Sequence, residues 1–110
     1  MEAHGLQTEI VDRLRVKQLT TTITTGSTLV VTSSSVIRSF LVQNPKKGPR
    51  ANSNDTYIEL STDEGSNWYV IGRGDKLGIG GRPHSGTCDR FELRTNTNGA
   101  NVEIIILEEY

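Results

Sequence analysis

Short runs in which hydrophobic and polar residues alternate recur along most of this 110-residue chain. Such alternation places apolar side chains on one face of a β-strand and polar side chains on the other. Turn signals rich in Gly, Asn and Ser separate the runs, as is typical of all-β domains. The pattern predicts an all-β fold of about eight short, mostly antiparallel strands in a β-sandwich of jelly-roll or Greek-key type. The predicted strands are residues 15–25, 28–32, 36–43, 56–60, 68–71, 77–79, 90–94 and 102–107.

Residues 1–14 have a different spacing. Leu6, Ile10 and Leu14 recur at intervals of four residues with charged residues between them, which is a weak helical stripe. Residues 1–14 are therefore predicted to form an N-terminal arm or a short helix, and residues 15–110 to form the β-sandwich domain. The three apolar residues of the arm are candidates for contact with a neighbouring chain.

A long polar loop, residues 44–54, interrupts the strand pattern. It contains prolines and glycine, has no large hydrophobic residue, and carries the cations Lys46, Lys47 and Arg50. Connections of this length in compact domains are often functional. We interpret the loop either as a solvated connector or as a site that binds an anion or an acidic protein surface.

The most clearly defined local motif is the segment STDEGSNW at residues 61–68. It resembles the Asp-box, a Ser-x-Asp-x-Gly-x-x-Trp hairpin found in sialidase-type propellers and in many unrelated β-proteins. The aspartate can accept hydrogen bonds from the turn, the glycine can adopt a positive φ, and the tryptophan can cover the base of the hairpin. One copy predicts a structural hairpin turn, not sialidase activity. The residues that build this turn are Ser61, Asp63, Gly65 and Trp68.

The composition strengthens the β prediction and limits the possible partners. Val, Ile and Thr together supply 30 residues and Ala only 3, a usage that favours strands over helices. Twelve basic and 13 acidic residues leave a net charge of −1, which argues against a nucleic-acid-binding domain with a dominant basic face. The chain has no run of about 18 apolar residues, and its start lacks the features of a secretion signal. We therefore expect neither nucleic acid nor a membrane as a partner.

Candidate catalytic groups are few. His84 and Cys88 lie four residues apart, with Asp89 beside Cys88. A metal site normally needs three or four ligands, and a nucleophilic pair needs an orienting third group. The carboxylates of Glu108 and Glu109 are expected to be exposed near the C-terminus. The sequence therefore predicts no enzymatic activity, no metal site and no cofactor.

The order of segments in the chain resembles a known group of proteins. The segments VIRSFLVQNP at residues 36–45, YIELSTDEGSNWYVI at 57–71 and RFELRT at 90–95 are followed by a final apolar strand. This arrangement, over residues 36–110, is similar to small β-sandwich virion accessory proteins of tailed bacteriophages, including capsid decoration or cement proteins. The resemblance implies a structural protein that binds and stabilises the head shell, contacts the major capsid protein or another virion protein, and is a homo-oligomer.

The resemblance also implies that the protein is part of the virion, which is assembled in the host cytoplasm. The N-terminal arm would clasp a neighbouring chain, and the cations of the polar loop would meet an acidic capsid surface. Two alternatives remain open: a tail or head-tail connector ring subunit, and a carbohydrate-binding module on the particle. The second would use the aromatic side chains near one predicted hairpin, which are Tyr57, Trp68 and Tyr69.

Overall fold

The computed structural model describes residues 14–80 and 88–109, and in this part of the chain the regular structure is entirely β. The all-β prediction is confirmed. Leu14, which the sequence pattern assigned to the arm, is the first residue of β1 and pairs with Glu109. The strands are β1 (Leu14–Ile23), β2 (Leu29–Gln43), β3 (Tyr57–Ser61), β4 (Tyr69–Gly72), β5 (Lys76–Gly80), β6 (Cys88–Thr95) and β7 (Ala100–Glu109).

All strand pairings are antiparallel, and hydrogen bonds join the seven strands in the order β1-β7-β2-β6-β3-β4, with β5 paired to β2. The long strand β2 belongs to two layers. Residues 29–32 pair with β6, whereas residues 39–43 pair with β7 on one side and with β5 on the other. We call β1-β7-β2-β5 layer A and β2-β6-β3-β4 layer B. The two layers form the predicted sandwich.

The sequence pattern divided residues 28–43 into two strands, but they form the single strand β2. Its register shifts between Thr32 and Ile37, so the strand bends from one layer into the other without leaving the sheet. Ser33 lies at this bend. Its Oγ accepts a hydrogen bond from the backbone N–H of Ser35 at 3.1 Å and donates one to a carboxylate oxygen of Glu108 at 2.6 Å. Ser33 therefore stabilises this bend, which contains no turn, because its short hydroxyl bonds to the nearby backbone.

The core lies between the two layers. Phe40 of layer A and Phe91 of layer B stack with ring centroids 4.0 Å apart and planes inclined by 9°. In β7, burial follows a strict period of two, as expected for a strand with one face in the core. The buried core residues are Ile23, Val31, Ile37, Phe40, Val42, Ile58, Leu60, Ile71, Phe91, Leu93, Val102, Ile104 and Ile106.

Candidate interaction surfaces

The outer face of layer A carries an apolar stripe. The register places Val16 opposite Leu107 and Leu41 opposite Ile105, on the face of the sheet turned away from the core. Val16 is 68% exposed and Ile105 37%, while the two leucines are partly buried. Gly78 lies opposite Leu41 on β5, and a β-carbon there would come within 3.3 Å of Leu41 Cδ1. The glycine therefore leaves room for the Leu41 side chain, which stays partly exposed. The name apolar stripe denotes these four side chains.

The outer face of layer B carries paired charges between exposed hydrophobic residues, which are Val30, Tyr57 and Val70. Arg94 Nε lies 2.8 Å from Glu59 Oε1, and an amino nitrogen of Arg90 lies 2.9 Å from Glu92 Oε2. The Arg94 guanidinium also stacks 3.9 Å from the centre of the Trp68 ring. The two outer faces therefore differ in arrangement. The four apolar side chains of layer A are neighbours on adjacent strands, whereas on layer B the ion pairs of β6 and β3 lie between Val30 of β2 and Val70 of β4.

Two buried asparagines fasten the polar loop of residues 44–54 to the sandwich. Asn44 Nδ2 donates to the carbonyls of Thr56 and Ile71 at 3.1 and 3.0 Å. Asn52 Nδ2 donates to the Asn101 carbonyl at 2.7 Å, and Asn52 Oδ1 accepts the Asn101 N–H at 2.7 Å. The β2-β7 pairing ends at Gln43 opposite Glu103. Beyond this point, the Asn52 side-chain amide forms the two hydrogen bonds with Asn101 that the backbone of a neighbouring strand would otherwise form. These bonds give the loop a fixed conformation.

The three predicted partner-binding cations of this loop do not share one role. Arg50 turns back onto the protein, and a terminal nitrogen of its guanidinium donates to the Thr21 carbonyl of β1 at 2.9 Å. Lys46 and Lys47 are exposed. They line a groove of about 370 Å³ whose remaining lining residues are Gln43, Asn44, Pro45, Gly74, Asp75, Lys76 and Glu103. The structure therefore leaves two lysines for outside contact and makes Arg50 a structural contact.

The groove and the apolar stripe lie on the same face. Gln43 follows Leu41 by two residues on β2, and Glu103 precedes Ile105 by two residues on β7, so both continue the outer row of layer A. The lysine-bearing end of the sandwich therefore adjoins the hydrophobic patch. The apolar stripe and this groove together form one surface, which we call the docking face.

The Ser61–Trp68 segment forms the hairpin turn between β3 and β4. Ser61 Oγ donates to Asp63 Oδ1 at 2.8 Å and accepts the Gly65 N–H at 2.8 Å. Gly65 has a φ of 90°, and its carbonyl accepts the Trp68 indole N–H at 3.0 Å. Hydrogen bonds from the Asn67 side-chain amide and backbone N–H, and from the Ser61 hydroxyl, lower the pKa of Asp63. Each of the four motif residues thus has a local structural task.

The aromatic side chains near this hairpin do not form one platform. Tyr57 lies opposite Gly72 and Tyr69 opposite Leu60, which places the two tyrosines on opposite faces of the β3-β4 pair. One face of the Trp68 ring is occupied by the Arg94 guanidinium. A sugar that stacks on all three rings at once is incompatible with this arrangement.

Glu108, which the sequence pattern placed on an exposed end, is fully buried, and that expectation is wrong. Its position in β7 continues the inward-facing row of the core. The carboxylate accepts a hydrogen bond from Ser33 Oγ at 2.6 Å and one from Arg15 Nε at 2.7 Å, with Lys17 Nζ 3.9 Å away. The Ser33 and Arg15 hydrogen bonds outweigh the effect of burial and lower the pKa of Glu108. The carboxylate therefore links β1, β2 and β7.

Replacing Glu108 by glutamine is expected to change how stability depends on pH. Because the folded-state pKa lies below the ordinary value of 4.5, the carboxylate contributes stability above that value and loses it as pH falls through the folded pKa. Urea unfolding of the native protein and Glu108→Gln between about pH 3 and pH 7 should show the largest difference near neutrality and a shrinking one in acid. The control variant is Glu109→Gln, which removes one negative charge from a more exposed ion pair with Arg38. A difference that stays constant or grows in acid would contradict this role.

Several predicted residues lie outside the described part of the chain. Leu6 and Ile10 of the arm and His84 belong to this group, so the structure does not place the arm contacts or the His84–Cys88 pair. Among the side chains that the structure describes, no three His, Cys, Asp or Glu side chains are grouped so that they could hold a metal ion. Residues 14–80 and 88–109 contain no helix long and apolar enough to cross a membrane.

Comparison with known proteins relates the chain by fold. No protein-family model and no curated protein sequence matches it. The chain is similar to one from Bacillus endospore appendages, which form disulfide-linked pili, with a TM-score of 0.52 at 9% identity over 87% of this chain and 86% of the other. It also matches a chain of the virus-like particle of extra small virus from the giant freshwater prawn Macrobrachium rosenbergii, with a TM-score of 0.46 at 14% identity over 86% and 77%. FlhE aligns with a TM-score of 0.42 at 11% identity over 88% and 98%. The first likeness shows a shared sandwich fold and, at 9% identity, nothing more.

Proposed function

We propose that the protein is a structural subunit of a bacteriophage virion, a capsid decoration or cement protein that binds the head shell through its docking face. The difference between the two outer faces carries this proposal. The hydrophobic side chains of layer A form one continuous stripe, whereas ion pairs lie between the exposed hydrophobic side chains of layer B. A contiguous exposed apolar patch on a soluble domain is typical of a protein-binding surface.

The chemistry of the docking face defines the partner surface. The apolar stripe fits a hydrophobic strip on the capsid protein, and exclusion of water from the stripe would supply most of the binding free energy. Lys46 and Lys47 at the adjoining groove fit acidic side chains beside that strip. Pairs of this kind at the rim of an interface mainly govern orientation and association rate. The capsid repeats this target many times, so linked copies of the subunit would gain avidity.

Strengthening of a shell requires that the bound subunit is itself rigid. The polar loop meets this requirement, because Asn44 and Asn52 fix it from within and Arg50 fixes it to β1. Binding then orders few groups and loses little conformational entropy. The charged outer face of layer B would be turned to solvent and keep the decorated particle soluble.

Replacement of Ile105 by lysine is expected to weaken attachment to purified heads that lack the protein by about tenfold or more. The change places a charge in the apolar stripe, where desolvation on docking opposes binding. The matched control is Val30→Lys on the outer face of layer B, since Val30 is 43% exposed against 37% for Ile105. Binding is measured by co-sedimentation with heads, after circular dichroism has shown that both variants fold.

The expected result is that the native protein and Val30→Lys bind and raise the temperature at which heads release DNA, whereas Ile105→Lys does neither at the same concentration. Equal binding of the two lysine variants would overturn the docking face. Localisation of the protein to the tail or connector of purified particles, with no binding to heads, would overturn the decoration role in favour of a ring subunit.

A further inference from the structure

Strand β1 has a long edge that pairs with nothing in the described part of the chain. Its ten residues pair with β7 in one unbroken register, from Leu14 opposite Glu109 to Ile23 opposite Ala100. At the other sheet edges, β4 has four residues and β5 has five. Natural sheets usually protect a long edge with a proline, a bulge, a covering loop or charged side chains, especially lysine. Residues 14–23 contain no proline, and their register contains no bulge.

The hydrogen bonds of the polar loop show which β1 groups point outward. Asn101 is the partner of Thr22 in the β1-β7 register, yet its N–H and C=O bond to the Asn52 side chain on the far side of β7. Thr22 is therefore in a pair that exchanges no backbone hydrogen bonds, and its own N–H and C=O point to the open edge. By alternation, the other even-numbered residues of β1 also point their N–H and C=O groups outward.

This edge carries exposed hydrophobic side chains on both of its faces. Val16 on the outer face is 68% exposed, and Leu19 on the inner face is 37% exposed, so apolar groups project from both faces of the same edge. The charged side chains Arg15 and Lys17 lie on the inner face near the Glu108 carboxylate. They leave both apolar groups uncovered.

We propose that β1 pairs with β1 of a second copy of this chain, antiparallel and about a two-fold axis at Leu19, so that two layers A become one continuous sheet. Even-numbered residues must face even-numbered residues, because only they present free backbone groups. The axis must therefore pass through a residue. An axis at Lys17 would place the Lys17 residues of the two copies directly opposite each other. An axis at Gln18 would make the two Lys17 residues diagonal neighbours on the same face, where like charges still repel. The axis at Leu19 sets Leu19 against itself and Lys17 against Thr21.

This pairing deepens the proposed function, on which it rests only for its biological setting. A two-fold axis perpendicular to the sheet keeps both docking faces on the same side. The dimer would then present two apolar stripes to one partner surface and the outer faces of both layers B to solvent. The dimer forms through the backbone edge of β1 and shares only Val16 with the docking face, whereas Ile105 lies on β7. A failure of dimerisation and a failure of head binding by Ile105→Lys are therefore separate results.

The register is tested by cross-linking purified protein in which Cys88 is replaced by serine. In the proposed dimer, the Leu19 Cα atoms face each other in a pair without backbone hydrogen bonds, at a separation of about 4.5 Å. Leu19→Cys should therefore form a disulfide-linked dimer under mild oxidation, since disulfides span Cα separations of about 4.4–6.8 Å. Thr21→Cys, which would face Lys17 of the second copy, should not. A cross-link at Thr21→Cys without one at Leu19→Cys would overturn the register.

The edge itself is tested by light scattering and analytical ultracentrifugation over a wide concentration range. Gln18→Pro removes one outward N–H, and with it two hydrogen bonds of the symmetric dimer, while the β1-β7 bonds remain. We expect the dimer dissociation constant to rise about tenfold to a hundredfold, whereas Gln18→Thr should remain near the native value. If the proline variant does not fold, Leu19→Lys replaces it, because it puts two like charges at the axis. A native protein that stays monomeric up to about millimolar concentration, or a dimer unaffected by these changes, would overturn the proposal.

Discussion

Replacing Phe91 by alanine is expected to lower the free energy of unfolding by about 3–5 kcal/mol, the usual loss when a buried phenylalanine is truncated and a cavity remains. Phe91 is 1% exposed, and its ring stacks on Phe40 of the other layer at 4.0 Å. The variant loses both its own burial and the aromatic contact, which adds about 0.5–1.5 kcal/mol in comparable pairs. Urea unfolding followed by circular dichroism measures the change.

A loss of this size is a large part of the total stability of a domain, which is about 5–15 kcal/mol. Phe91→Leu, which keeps most of the volume, should lose less. Tyr57→Ala controls for removal of a partly exposed ring from the same layer. A loss below about 1 kcal/mol for Phe91→Ala would mean that the two layers do not share this core contact.

Replacing Asn52 by leucine is expected to cost about 3 kcal/mol or more and to release the polar loop from β7. The change leaves the Asn101 N–H, the Asn101 carbonyl and Asn44 Oδ1 without the partner that each now has. An unsatisfied buried polar group costs about 1–3 kcal/mol, and rehydration recovers part of this sum. Urea unfolding gives the total, and hydrogen exchange at the Asn101 amide reports the local effect.

Asn54→Leu is the matched control, because Asn54 is an exposed asparagine of the same loop. It should change neither the stability by more than about 0.5 kcal/mol nor the exchange rate at Asn101. Unchanged protection of the Asn101 amide in Asn52→Leu would show that the loop is held by other contacts.

Local patterns predicted much of this fold. Alternation in residues 90–94 correctly identifies Phe91 and Leu93 as core residues. In a strand with one buried face, every second side chain points into the core, so hydrophobic residues recur with a period of two. Each predicted segment lies in or overlaps an observed strand. Alternation could not show that Leu29–Gln43 is one continuous strand. Its continuity depends on pairing with distant segments, since the first half pairs with β6 and the second half with β7 and β5.

Residues with distant partners were the ones that local patterns misjudged. Glu108 looks like a solvated charge beside Glu109, but it is buried because Arg15 and Ser33, far away in the chain, supply its hydrogen bonds. Arg50 looks like a free cation of a polar loop, but its guanidinium reaches a β1 carbonyl. The apolar stripe draws its four residues from three strands, two of them from β7, and its existence depends on the register between these strands. One signal was available in the sequence: Ile104, Ile105 and Ile106 are consecutive, so one of them had to face outward.

The position of β7 has a consequence for how the protein is made. This strand follows all the other described strands in the chain, yet it lies between β1 and β2 in the sheet. While a ribosome extends the chain, β1 therefore has no neighbour, and layer A is missing a central strand until residues 100–109 have left the exit tunnel. Layer B, whose strands all precede β7, can assemble earlier on the first half of β2. The nascent chain thus exposes β1 on both edges until β7, the last of the described strands, emerges and closes the sandwich.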